Sequence, residues 1–168
     1  MKKNILLLMI FIKCSGIPHG YERISDESKI IKYYDKVEKI TFFHHLELNN
    51  LNRNRNLLIY IREQEGRKSL HLKISYRGNN WIFFDEILLT NGDQNIIFNI
   101  PLYNKYTDVS QSGTVKEETS ILLNEKDIEL LKYLFKSNFT MRLKGKNYHD
   151  KNFKNCNACL EIINLYEK

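Results

Sequence analysis

Apolar and polar residues alternate with a period of two through most of residues 37–100. The cleanest run is 69–76. It puts Leu70, Leu72, Ile74 and Tyr76 on one face and Ser69, His71, Lys73 and Ser75 on the other, as a half-buried antiparallel strand requires. Residues 57–62 read as its partner, joined through a turn at Gln64-Glu65-Gly66-Arg67. A second turn at 77–80 leads into 81–90, which is apolar on both faces and is therefore expected at the centre of a sheet. Asn91-Gly92 signals a hairpin that returns the chain through 96–100 to Pro101, which cannot donate to a ladder. An earlier strand is expected within 37–48.

Residues 101–113 read as a polar loop and 114–123 as a further strand. The period then changes. Asn124 caps a helix over 125–136, with acidic residues in its first turn and Lys132 and Lys136 near its end, as the helix dipole favours. Ile128, Leu131 and Phe135 form its apolar stripe, widened by Leu130 and Leu134. Residues 139–144 alternate as a strand, 144–147 turn it, His149-Asp150 reads as loop, and a last helix is expected over about 153–166. The predicted class is α+β: a mostly antiparallel sheet or sandwich with two late helices. A chain of 168 residues suits one core better than two.

The N-terminus follows a different logic. Met1-Lys2-Lys3-Asn4 is a short positive segment, and residues 5–12 form an eight-residue apolar run, too short to span a bilayer as a helix. Lys13-Cys14-Ser15-Gly16 follows. A cysteine directly after such a run, with small residues behind it, resembles a bacterial lipoprotein signal, although Phe11 and Lys13 depart from that pattern. The resemblance implies a signal peptide over 1–13, acylation of Cys14, a lipidated tether over 14–36 and one globular β-rich domain over 37–168. Two or more acyl chains anchor stably where one binds only marginally. Within the tether, Ser25-Asp26-Glu27 reads as the cap of a short helix carrying Ile30, Ile31, Tyr33 and Tyr34.

The formal charge of +6 suggests nucleic acid until its origin is traced. Removing Lys2, Lys3 and Lys13 leaves 23 basic against 20 acidic residues, or +3. The chain holds 19 Asn, 19 Lys and 20 Ile against one alanine, a bias of AT-rich codons that explains much of the lysine. Excess lysine of that origin is a solvated surface. Arg53 and Arg55, with Arg62, Arg67 and Lys68, could line a basic edge beside Tyr60. Export removes the usual nucleic-acid partner, and the same edge suits anionic lipid headgroups.

The central pattern is similar to that of uncharacterised bacterial exported proteins and lipoproteins. The matching stretches are Tyr76-x-Gly78-x-x-Trp81-x-Phe83, the hairpin glycine Gly92, and Arg142-x-x-Gly145 after a capped helix. The resemblance implies an envelope protein with a β-rich core and carries no catalytic residue.

Cys156-Asn157-Ala158-Cys159 is the sharpest chemical motif. Its spacing puts both sulfurs on the apolar stripe with Leu160, Ile163 and Tyr166, which favours core packing. A disulfide, or a reactive thiol pair at a helix start, is the alternative. A zinc site would need His149 and a fourth ligand. Of the adjacent pair His44-His45 only one could join, since strand neighbours face opposite ways; one is expected half-buried and the other solvated. No metal or cofactor is expected. The paired carboxylates Asp85-Glu86 and Glu117-Glu118 split across their strands, and no hydrolase or P-loop motif occurs.

The resulting expectation is a lipid-anchored, membrane-held envelope protein whose domain binds an envelope partner or has a structural role without catalysis. Phe42, Phe43, Tyr103 and Tyr106 are the aromatic candidates for recognition, with core packing expected for at least one of the two phenylalanines. The competing expectation is a thiol or metal protein, or an enzyme, centred on Cys156, Cys159 and His149.

Overall fold

A computed structural model describes residues 17, 19–49 and 56–168. Two antiparallel sheets share one continuous hydrophobic core. The strands of the larger sheet are β1 (Tyr21–Arg23), β2 (Ile30–Asp35), β3 (Ile40–His45), β4 (Leu57–Gln64), β5 (Arg67–Gly78), β8 (Lys105–Val109) and β9 (Val115–Leu122). They lie in the order β1-β2-β3-β4-β5-β9-β8. The smaller sheet orders β11 (Tyr148–Phe153), β10 (Phe139–Lys144), β6 (Glu86–Thr90) and β7 (Asn95–Asn99) side by side. Among the described residues three helices complete the fold: α1 (Leu46–Asn49), α2 (Glu125–Leu134) and α3 (Asn157–Tyr166). The protein is therefore α+β, with two of its helices late in the chain, as the periodicity predicted. Among the described residues no helix is long and apolar enough to cross a membrane.

The alternation of β5 holds at every position: Leu70, Leu72, Ile74 and Tyr76 are buried against the core. On β4, Leu57, Ile59 and Ile61 face the same way. A two-residue turn, Glu65-Gly66, joins these strands with both residues at positive φ, the geometry that matches strand twist. Asn124 caps α2 with a full capping box, its side chain accepting from Asp127 N–H while Asp127 accepts from Asn124 N–H. Ile128, Leu131, Leu134 and Phe135 bury the α2 stripe; Ala158, Cys159, Ile162 and Ile163 bury that of α3.

Five expectations need correction. The helix expected to carry Ile30–Tyr34 is strand β2, hydrogen-bonded between β1 and β3. Residues 21–23 and 30–35, read as tether, therefore belong to the sheet, and Ile31 is fully buried there. The strand expected from residue 81 begins only at Glu86, because 81–85 are irregular. Finally, β8 and β11 occupy stretches read as loop, and α3 starts at Asn157 rather than near 153. Strands β8 and β11 lie at sheet edges, where most side chains are exposed and no alternation marks them.

Candidate functional site

The irregular segment 81–85 joins the two sheets, and a buried carboxylate holds it. Glu117, on the core-facing side of β9, is fully buried. Its Oε1 accepts the N–H groups of Ile82 at 2.6 Å and Phe83 at 3.0 Å, and its Oε2 accepts that of Phe84 at 3.2 Å. Three converging amides satisfy a charge that apolar surroundings could not. The same contacts pull the backbone off the ladder, with Phe83 at φ 54°, which is why an apolar run there fails to continue as strand. Lys105 Nζ donates to Phe84 C=O at 2.7 Å, and Lys146 N–H donates to Ile82 C=O at 2.9 Å. Gly145 packs so close to the Ile82 and Phe83 carbonyls that a Cβ would collide with both.

Several residues behind the lipoprotein resemblance meet at this junction. Tyr76 donates its hydroxyl proton to Asn80 C=O, Trp81 stacks on Phe83, and Gly145 supplies the close approach. Burial and then the nearby Glu117 charge push the Tyr76 phenol up. Arg142 forms a bidentate pair with Asp150, both bonds at 2.6 Å, and lies over the Tyr148 ring. These roles are architectural. Glu117 has its oxygens engaged by amides, and Glu118 on the opposite face pairs with Lys73 and Lys116. The two carboxylates do not meet, as the strand alternation predicted.

On the large sheet's other face, rings from five strands form a row: Tyr21, Tyr33, Phe42, His44, Tyr60 and His71. Phe42 is half-buried within it, whereas Phe43 packs against the main core. Tyr60 stacks on His71 with centroids 5.2 Å apart and on His44 at 5.5 Å, so these rings spend their faces on one another. That is cohesion between strands rather than an open stacking platform. Burial, with help from Lys73, lowers the His44 pKa to about 4, and its buried Nδ1 has no hydrogen-bond partner. His45 faces the opposite way, accepting Glu47 N–H at Nδ1 and sharing a 3.1 Å contact with Glu161 through Nε2. Both histidines are buried, contrary to the expectation that one would be solvated.

Cys156 and Cys159 form a disulfide. Cys156 is the N-cap of α3 and is half-buried, whereas Cys159 is completely buried among core side chains. The disulfide given as the alternative is what the structure holds, and only Cys159 takes the core position expected for both. His149 does not join them. It sits against the Tyr76 ring, opposite Leu143 and four residues back along β11 from Phe153, roughly 13 Å. Among the described residues no group of three His, Cys, Asp or Glu could hold a metal ion.

Four of the exposed apolar side chains lie at one sheet edge, with Tyr106 and Val109 on opposite faces of its strand. Leu102 and Tyr103, in a 3-10 turn (Leu102–Asn104), are 82% and 85% exposed; Tyr106 and Val109, on β8, are each 54% exposed. This is where Tyr103 and Tyr106 were expected to matter. The backbone of this edge is partly closed, since Lys105 N–H donates to Leu102 C=O and Val109 N–H to its neighbour Asp108 Oδ1. Side chains rather than a free ladder are what it presents. The remaining candidates, Cys14, Arg53 and Arg55, lie outside the described residues.

No protein-family model matches the chain. No curated protein matches it either. A crystal structure of invasion associated protein B from Bartonella henselae aligns with 88% of this chain and 99% of its own, at 12% identity and a TM-score of 0.38. Similarity that low transfers neither fold nor function.

Proposed function

We propose that this is a non-catalytic binding domain of the bacterial envelope, lipid-anchored at Cys14, that engages an envelope protein through Leu102, Tyr103 and Tyr106. The observation that carries the binding surface is the exposure of Leu102, Tyr103 and Tyr106 within five residues. Large aromatic anchors in such a patch are the usual energetic centre of a protein interface. Sheet order favours a protein partner over lipid headgroups. The chain enters the large sheet at β1 and the patch lies on β8, six strand spacings away, about 29 Å along the sheet. An anchor before β1 holds one edge at the membrane and leaves the other turned outward. The export-type N-terminus supports the anchor, and the Cys156–Cys159 disulfide fits an oxidising compartment.

Two measurements test this. The intact mass of the protein from its native membrane fraction should show a triacyl increment on a chain starting at Cys14, absent from Cys14→Ser. A photo-crosslinking residue at Tyr103 should capture a discrete envelope protein, while the same residue at exposed Tyr34, on β2, should not. An unmodified chain starting at Met1 refutes the anchor; equal capture at both positions, or capture of lipid at Tyr103, refutes the docking edge.

A further inference from the structure

We infer that Cys156–Cys159 is an exchangeable disulfide, with Cys156 the sulfur that reacts with a partner dithiol. This goes beyond the binding role and does not rest on it. The bond bridges residues only three apart, so it ties together nothing that the start of α3 does not already hold. The segment is fixed independently, by Cys156 N–H donating to Phe135 C=O at 2.8 Å and by Cys159 filling the core. A cross-link with little to stabilise calls for another role.

The two sulfurs also differ in the way exchange chemistry needs. Cys156 caps α3, and its Sγ accepts Cys159 N–H at 3.3 Å, so the helix N-terminus favours a thiolate there. The first turn of α3 carries no acidic residue to oppose that effect. Cys159 is fully buried in apolar surroundings, which favour its protonated thiol. An open groove of about 740 Å³ is lined by Asn91, Asn138, Phe139, Asn152, Phe153 and Lys154, the last of these two residues before Cys156 in the sequence.

In the oxidised protein, a thiolate of the partner attacks Cys156 Sγ, the S–S bond breaks, and Cys159 leaves and takes up a proton. The partner's second thiolate then attacks its own sulfur in the mixed disulfide and releases the Cys156 thiolate. Two electrons pass to this protein, the partner dithiol becomes a disulfide, and its two protons end on the two cysteines or in solvent.

The test uses the full chain carrying Cys14→Ser, so that no third thiol interferes. Dithiothreitol should reduce the bond without denaturant and leave the circular dichroism unchanged. Cys156 should then alkylate at least tenfold faster than Cys159. Oxidised glutathione should trap a mixed disulfide in Cys159→Ser and not in Cys156→Ser, and the oxidised protein should convert a dithiol peptide to its disulfide mole for mole. A bond that resists reduction until the protein unfolds, a fold lost on reduction, or equal alkylation of both sulfurs would each overturn the inference.

Discussion

Replacing Glu117 with glutamine changes one atom at the point where the sheets join, and the consequence can be worked from the geometry. The glutamine oxygen can take the place of Oε1 and keep the bonds from Ile82 and Phe83. Its NH2 group must then face the Phe84 N–H, donor against donor, where Oε2 accepted at 3.2 Å. One charge-assisted bond is lost, worth about 1.5–3 kcal/mol, and the two that remain weaken as the acceptor loses its charge. Removing a buried charge also removes its desolvation cost, which acts in the opposite direction. Because three amides converge on this carboxylate, the loss of acceptor strength should prevail. The expected net destabilisation is about 2–3 kcal/mol, or roughly 5–10 °C in Tm for a chain of this size. Trp81, the single tryptophan, stacks on Phe83 beside the site, so urea unfolding followed by its fluorescence reports the change directly. Glu117→Ala should be far worse. It orphans three amides at about 1–3 kcal/mol each, against a typical total stability of about 5–15 kcal/mol. A Glu117→Gln protein within about 0.5 kcal/mol of the parent, with unchanged Trp81 emission, would refute the account.

Three further outcomes follow from the same contacts. His44 is held neutral, with its pKa lowered to about 4 from 6.5, so the unfolded chain binds the proton first as pH falls. Stability should be complete above about pH 6.5 and decline by up to about 3 kcal/mol toward pH 4. His71, also lowered by burial and by Arg62, adds in the same direction, and His44→Phe should flatten most of the dependence in a series of urea titrations. Gly145→Ala should cost about 1–3 kcal/mol, because its Cβ meets the Ile82 and Phe83 carbonyls rather than a flexible side chain; thermal unfolding at parental stability would show that the junction can yield. Asn124→Ala removes the side-chain half of the α2 capping box and should lower stability by about 1 kcal/mol in the same assay.

Much of the fold was legible in the sequence because burial writes a period into a strand. Leu70, Leu72, Ile74 and Tyr76 could face only one way, and Asn124 announced α2 with a capping side chain. β8 and β11 were not legible. Edge strands bury little, so Lys105–Val109 and Tyr148–Phe153 carry the composition of loops. The break at 81–85 could not be read locally either, since its cause, Glu117, lies more than thirty residues away and looks like any polar strand position. Of the candidate residues, Tyr103 and Tyr106 showed their availability as aromatics in a polar stretch. The separation of His149 from Cys156 followed only from a strand that the sequence does not reveal.

The early start of the large sheet fixes how far an anchored domain could roam. Were Cys14 the attachment point, as proposed, only six residues would lie between lipid and the sheet, whose first strand begins at Tyr21. Fully extended, that leash spans at most about 25 Å. A 14–36 tether would have allowed roughly three times as much. The domain would thus be confined to a shallow layer with its first strand toward the bilayer. A partner would have to stand within that layer rather than be fished from the surrounding medium.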